Sequence, residues 1–376
     1  MLQTRIDKLR KILQEKNLDG FLVSNFYNIL YLTGFKTLTD DEREAWVLVT
    51  AEKTYLFTDN RYINNKLQMT NDNSITNNKF LILKLITPEK GLIKHLREIV
   101  EEEKILRLGV EGDDLKLNEF NKFKQVLVNT ELVPTEKLII KIREIKDEDE
   151  INKIRIACQI ADKCLKEVVK TIKVGQTEKE IAFKIEFWLK EKGYDFSFYP
   201  IVAIDKNSAI PHYDTRGGNN EKVNKNSIIL IDFGAKYQDY HSDMTRMIFV
   251  GEATDEMENT YQTLLDAQEK TIKQLKTDNN PVSVDQFCRS ILTNPYPLIP
   301  NPYPHSTGHG VGLQIHEYPK ISFTSTDVLL PSQIVTIEPG VYLDNKWGMR
   351  IEDIVLIKEN RQTEVLTKFN KQPLII

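Results

Sequence analysis

Ser227-Ile228-Ile229-Leu230-Ile231-Asp232-Phe233-Gly234 is the stretch on which the reading of this chain turns. Its apolar run predicts a buried strand, and the strand ends in a carboxylate. A buried carboxylate without a partner costs several kcal/mol or gives up its charge, so such a group normally faces a cation. Asp243 follows in Tyr240-His241-Ser242-Asp243-Met244-Thr245-Arg246, where a hairpin would bring the two carboxylates together. Taken alone, the pair also admits a plainer reading, in which Asp232 ends a strand and Asp243 pairs with Arg246.

The histidines bear on that choice. Five of the six (His212, His241, His305, His309 and His316) fall between residues 212 and 316. The sixth, His95, lies on a predicted amphipathic helix and is expected at the surface. His309 sits in Thr307-Gly308-His309-Gly310-Val311-Gly312, whose glycines let the backbone bend closely around the imidazole. His316 follows in Ile315-His316-Glu317-Tyr318-Pro319. A lone histidine is more often structural than a ligand; five gathered beside aspartates point the other way. His241 and His305 remain open as supporting or exposed residues.

Two glutamates extend the pattern. Glu338 ends the apolar run Val335-Thr336-Ile337, and Glu352 lies in Met349-Arg350-Ile351-Glu352-Asp353-Ile354-Val355. Strand alternation puts Arg350 and Glu352 on one face. A surface ion pair between them is the plain alternative, and the apolar flanks speak against it. The set is thus four carboxylates and at least one imidazole, with no thiolate. Such donors suit Mn²⁺, Co²⁺, Zn²⁺ or Fe²⁺, whereas structural zinc would recruit cysteine. Four carboxylates carry too much charge for one divalent ion. Two ions about 3.5–4 Å apart, bridged by carboxylates, balance it and form a hydrolytic site.

Outward from this core the chain reads as two domains. Met1 to Lys16 has an amphipathic pattern, followed by strand-like runs at Gly20–Val23, Trp46–Val49 and Tyr55–Thr58. A helix from Glu89 to about Lys104 and a strand at Leu106–Val110 complete an α/β pattern. The charged stretch Lys146–Glu150 closes the boundary segment, and a long helix is expected from Ile151 to near Gly175. Thr177-Glu178-Lys179-Glu180 reads as a capping box. Beyond Gly193, short strands at Ile228–Ile231, Met247–Val250, Ile334–Ile337 and Ile354–Ile357 alternate with helices at Glu256–Lys276 and Val284–Leu292. This pattern is α+β. Five prolines between Asn294 and Pro304 make a stiff loop there.

Composition narrows the function classes. With 40% apolar and 28% charged residues, the chain has the balance of a soluble globular protein. A net charge of −4 and scattered Lys and Arg exclude the basic stripe of a nucleic-acid binder. Three cysteines without a Cys-x-x-Cys pair give no disulfide framework, and no stretch matches a signal peptide or membrane span. The expectation is a cytoplasmic protein with neither a nucleic-acid nor a membrane partner.

At these motifs the chain resembles the pita-bread metallopeptidases, and among them the Xaa-Pro aminopeptidases and Xaa-Pro dipeptidases (prolidases). The resemblance rests on Pro211-His212, Ile231-Asp232-Phe233-Gly234, Ser242-Asp243-Met244-Thr245-Arg246, His305 to Gly312, Glu338-Pro339-Gly340 and Arg350-Ile351-Glu352-Asp353. In the first half, Asn28-Ile29-Leu30-Tyr31-Leu32-Thr33-Gly34-Phe35 and Leu56-Phe57-Thr58-Asp59 resemble a creatinase-type N-terminal domain. The resemblance implies a creatinase-like α/β domain over 1–140. It implies an α+β pita-bread catalytic domain, with a curved, mostly antiparallel sheet, over 141–376.

It also implies roles. Asp232 chelates one metal, Asp243 and Glu352 bridge both, and His309 and Glu338 hold the other; manganese comes first, with cobalt, zinc or iron as alternatives. Glu338 exchanges the proton of the attacking water, His316 helps to stabilise the oxyanion, His212 positions the substrate on its proline side, and Arg350 orients Glu352. The implied partners are a proline-containing peptide and a second copy of the chain, whose N-terminal domain helps to close the site. Lys320, four residues past His316, is a candidate cation for a dipeptide's free carboxylate. Met247 departs from the family, which often has a small or hydroxylated residue there, as does the proline-rich stretch before His305. Two rival readings are a pita-bread binding module without catalysis and a metal-free, creatinase-like C–N hydrolase. Retention of all five ligand positions argues against both.

Overall fold

The structure is a computed structural model, and it describes residues 1–63, 81–218, 220–293 and 303–376. The proline-rich loop lies outside the described residues but for Tyr303 and Pro304. The chain divides into two compact units, Met1–Arg143 and Glu144–Ile376.

The first unit is built on a six-stranded mixed sheet. Its strands are β1 (Gly20–Val23), β2 (Ala45–Thr50), β3 (Thr54–Asp59), β4 (Ile82–Ile86), β5 (Arg107–Glu111) and β6 (Glu131–Thr135), in the order β4-β3-β2-β1-β5-β6. The centre of the sheet is apolar without alternation, because helices pack on it. Leu22, Leu48 and Phe57 meet Leu96, Ile99 and Val100 of the helix Leu92–Glu102 in one cluster. His95 on that helix is buried, contrary to the expectation of a surface residue. Its Nε2 lies 2.8 Å from the Leu85 carbonyl and its ring packs against Phe57, so the imidazole satisfies a strand-end carbonyl.

The second unit opens with the helix Glu148–Val169. The run Glu148-Asp149-Glu150 is its first turn, where carboxylates complement the helix dipole. Asp147 and Glu150 cap each other's amides at 3.0 Å. The helix therefore starts earlier than its apolar periodicity alone indicates. The capping box at Thr177 opens the helix Glu178–Glu191.

The strands of this unit are mostly antiparallel. In chain order they are β7 (Asp195–Phe196), β8 (Ile201–Ile204), β9 (Ile228–Phe233), β10 (Ala235–Tyr237), β11 (Tyr240–His241), β12 (Met244–Phe249) and β13 (Gly308–Gly310). There follow β14 (Glu317–Ile321), β15 (Ile334–Ile337), β16 (Gly340–Leu343), β17 (Trp347–Arg350), β18 (Asp353–Ile357), β19 (Thr363–Val365) and β20 (Leu374–Ile375). One sheet runs β20-β12-β9-β8 and a second β14-β13-β15-β18-β19; only β12 and β20 pair in parallel among them. The helices Asp255–Gln274 and Pro281–Thr293 contribute Leu264, Cys288 and Leu292 to a cluster with Leu230, Met247 and Met349.

Candidate metal centre

Strand registers gather the acidic groups. Asp232 lies near the end of β9, opposite Thr245 of β12, and Asp243 directly precedes β12. Pairing of Ile337 with Asp353 brings Glu338, just past β15, and Glu352, just before β18, to the same end of the second sheet. His309 is the middle residue of β13, the strand beside β15. Gly310 allows β13 to approach β14, since a Cβ there would run into the Tyr318 carbonyl. The donor atoms of Asp243, His309 and Glu352 lie within 4.8 Å of one another, and all three residues are buried.

The cluster consists of hydrogen-bond acceptors. His309 Nδ1 is 3.0 Å from the Gly310 carbonyl, so that nitrogen carries the proton and Nε2 presents a lone pair. Burial, reinforced by the neighbouring His316, lowers this histidine to about 3, and the ring is neutral. Its Nε2 faces Glu338 Oε1 at 3.5 Å and Asp243 Oδ2 at 3.7 Å. Asp232 Oδ1 and Asp243 Oδ1 are buried with no hydrogen-bond partner among the described residues. A lone pair and orphaned carboxylate oxygens turned toward one another repel, and a cation among them removes the repulsion. Oxygen donors with one imidazole nitrogen fit a hard or borderline divalent ion.

The charge states agree. Burial raises the Asp243 and Glu352 carboxyls well above the ordinary range, and neighbouring carboxylates push them further. Burial also raises Asp232, which the Arg350 guanidinium opposes, and carries Glu338 to about 7 against the same opposing charge.

Three hydroxyls and one guanidinium orient these groups. Arg350 donates to Asp232 Oδ2 at 2.6 Å, to Thr245 Oγ1 at 3.0 Å, to the Tyr342 hydroxyl at 2.7 Å and to the Pro211 carbonyl at 3.2 Å. The Thr245 hydroxyl in turn donates a hydrogen bond to Glu352 Oε2 at 2.8 Å. Arg350 thus touches Asp232 directly and reaches Glu352 through Thr245. Thr336 accepts the His309 amide at 3.0 Å and donates to Glu338 at 3.3 Å. Sequence reasoning missed Thr245, Thr336 and Tyr342. The threonines are polar residues inside apolar strands, a signal that was available but names no partner.

Arg246 does not pair with Asp243. Its guanidinium is 2.7 Å from Asp353 Oδ1 and also donates to the carbonyls of Glu352 at 2.6 Å and Thr245 at 3.0 Å. The plainer reading of Asp243 fails for that reason. The supposed surface pair of Arg350 and Glu352 fails as well, because both residues are buried.

The other histidines are placed as follows. His241 is buried, with Nδ1 3.1 Å from the Gly312 carbonyl, and burial lowers it to about 4. His305 is largely buried, with Nε2 2.9 Å from the Tyr342 hydroxyl and Nδ1 3.9 Å from Glu338. His316 is exposed, its ring centroid 4.5 Å from that of His309. His212 and Lys320 are exposed too, and both bear on the charge of His309 and His316. The Lys320 ammonium stands 5.9 Å from the Tyr318 ring and forms no ion pair among the described residues.

Comparison with known proteins gives concordant matches. Metallopeptidase family M24 matches residues 152–359, and the creatinase/prolidase N-terminal domain matches residues 5–145. An Xaa-Pro dipeptidase of Pyrococcus furiosus is 31% identical, over 99% of this chain and 100% of that one. Among solved structures, an Xaa-Pro dipeptidase from Bacillus anthracis matches with a TM-score of 0.87 at 30% identity, over 100% of both chains. An X-Pro aminopeptidase from Thermotoga maritima matches with a TM-score of 0.84 at 30% identity, over 96% of this chain and 98% of that one.

Proposed function

Because the chain belongs to metallopeptidase family M24, with a creatinase/prolidase N-terminal domain ahead of a pita-bread catalytic domain, we propose that it hydrolyses the peptide bond before proline. The observation that carries this reading is the cluster of Asp232, Asp243, His309, Glu338 and Glu352, in which an imidazole lone pair and orphaned carboxylate oxygens are turned toward one another. These five residues would hold two divalent ions, manganese before cobalt, zinc or iron. When bound, such a pair supplies Lewis acidity, making water easier to ionise and a carbonyl more electrophilic.

The protein's own groups do the rest. Glu338 holds a proton with a midpoint of about 7 in the metal-free arrangement. It takes a proton from the attacking water as the oxygen adds to the carbonyl carbon, and it returns one to the proline nitrogen as the C–N bond breaks. His316 faces the developing oxyanion, and His212 seats the substrate on its proline side. Arg350 and Thr245 hold Asp232 and Glu352 in place. The Xaa-Pro bond has no N–H, so a site that grips its substrate through that donor fails, and one that acts on the carbonyl does not.

No helix among the described residues is long and apolar enough to cross a membrane. The three cysteines are buried free thiols, which supports a reducing, cytoplasmic setting. The working form, on the family resemblance, is a homodimer. The test is an assay of Xaa-Pro and Xaa-Pro-Yaa peptides with Mn²⁺ or Co²⁺. Cleavage before proline is expected, lost on chelation and in Asp243→Ala. Absence of metal-dependent cleavage of either peptide refutes the reading.

A further inference from the structure

His316 is exposed, yet its ring is held against that of His309, the two planes 74° apart. Gly312 and Leu313 before it are buried and Gln314 and Ile315 half-buried, and an exposed histidine after such a turn keeps that contact only if the turn has one conformation. The residues that give it one lie behind it.

Glu317, next in the chain, is buried. Its Oε2 lies 2.9 Å from Lys146 Nζ, and the two side chains are 5% and 1% exposed. Its Oε1 accepts the Gln314 amide at 3.0 Å. The Gly312 amide donates to the Gln314 carbonyl at 3.1 Å, which closes the turn. The Gly312 carbonyl accepts the backbone amide of His241 at 2.9 Å and approaches its ring nitrogen at 3.1 Å. Turn and carboxylate fit tightly, since a Cβ on Gly312 would come within 2.5 Å of Glu317 Oε2. Lys146 is itself anchored, its amide donating to the Ser332 carbonyl at 2.9 Å.

A dry Lys–Glu pair is a poor device for stability, because desolvation of both ions offsets their attraction and apolar replacements are often as good. What the pair does supply is direction. The ammonium fixes one carboxylate oxygen, the other then has one orientation, and that oxygen sets the amide two residues before His316.

We infer that Lys146 is a positioning residue for His316, acting through Glu317 to lock the turn Gly312–His316 against His309. The inference deepens the peptidase reading and depends on it only for its kinetic arm.

The test uses the full chain carrying Lys146→Met, or Lys146→Met with Glu317→Gln. The double variant removes both buried charges together and is the one measured where the single variant fails to fold. The first readout is the ring spectrum of ¹³C-histidine-labelled, Zn²⁺-saturated protein, with the His316 signal assigned by its loss in His316→Gln. One sharp His316 signal is expected in the parent and a split or broadened one in the variants. The second readout is kinetic. With an Xaa-Pro peptide and Mn²⁺, kcat should fall about tenfold, the scale of a misplaced catalytic group, with KM within about twofold. In a His316→Ala background the same change should cost less than about twofold, because the positioned group is gone. An unchanged His316 signal in the folded double variant overturns the inference, and so does a loss that multiplies with His316→Ala. If the parent shows no metal-dependent cleavage before proline, the functional reading falls, and the ring spectrum alone decides the inference.

Discussion

Stripping the metal should make this protein less stable as pH rises, and Glu338→Gln should remove much of that loss. In the metal-free fold, Asp232, Asp243, Glu338 and Glu352 are all held above the ordinary carboxylate range, with burial the largest cause for each. A carboxyl whose folded value exceeds its unfolded one gives stability that is complete below the unfolded value. That stability is lost as pH climbs through the folded value. For Glu338 the window runs from its ordinary 4.5 to about 7. A displacement of that size is worth about 3 kcal/mol once both states are ionised. For a folding unit of roughly 150–250 residues, that is on the order of 10 °C in Tm. Asp243 and Glu352, also raised by burial, add to the loss in the same direction.

The assay is thermal unfolding from pH 5 to 8 in chelator, repeated with Mn²⁺. The metal-free parent should lose Tm across the range, and metal-free Glu338→Gln should lose distinctly less and melt higher than the parent at pH 8. Added metal should reverse the order. At about 100 times its dissociation constant a ligand contributes about 2.7 kcal/mol, which the parent should gain and the variant gain only in part. The variant should also be inactive. A parent whose metal-free Tm is flat between pH 5 and 8, or a variant that falls with the parent's slope, refutes the reasoning.

Other changes separate the roles further. Arg246→Met strips Asp353 of a buried partner at 2.7 Å and should cost about 3–5 kcal/mol in denaturant unfolding. A loss under about 1 kcal/mol, the scale of an exposed pair, would contradict this. Arg350→Lys keeps the charge but cannot reproduce contacts to Asp232, Thr245, Tyr342 and Pro211 together. It should lower kcat/KM about 10–100-fold, and near-parental kinetics would show that charge alone suffices. Lys320→Ala should raise KM for Xaa-Pro dipeptides about tenfold or more, as loss of a charged hydrogen bond does, and spare longer peptides. An unchanged dipeptide KM removes Lys320 from substrate binding.

The ends of apolar strands were where the sequence spoke most clearly. Asp232 and Glu338 stood out because a carboxylate closing an apolar run conflicts with its surroundings, and the conflict is visible without a fold. The helix Phe26–Thr33 left no such mark. Its residues from Asn28 to Thr33 are all buried, so no face alternates and no period can be read. Partner identity was equally hidden. Apolar flanks indicate that Arg246 is buried, but its carboxylate lies 107 residues away, and the nearer Asp243 was the natural guess. Thr245 shows why this matters for the site. It sits between Arg350 and Glu352 with one oxygen, accepting from the first and donating to the second, and its own carbonyl takes Arg246. No local pattern distinguishes that threonine from one that merely favours a strand. Its role exists only once β12 and the segment before β18 are side by side, so the acidic cluster can be inferred from composition and order, while the framework that aims it has to be seen.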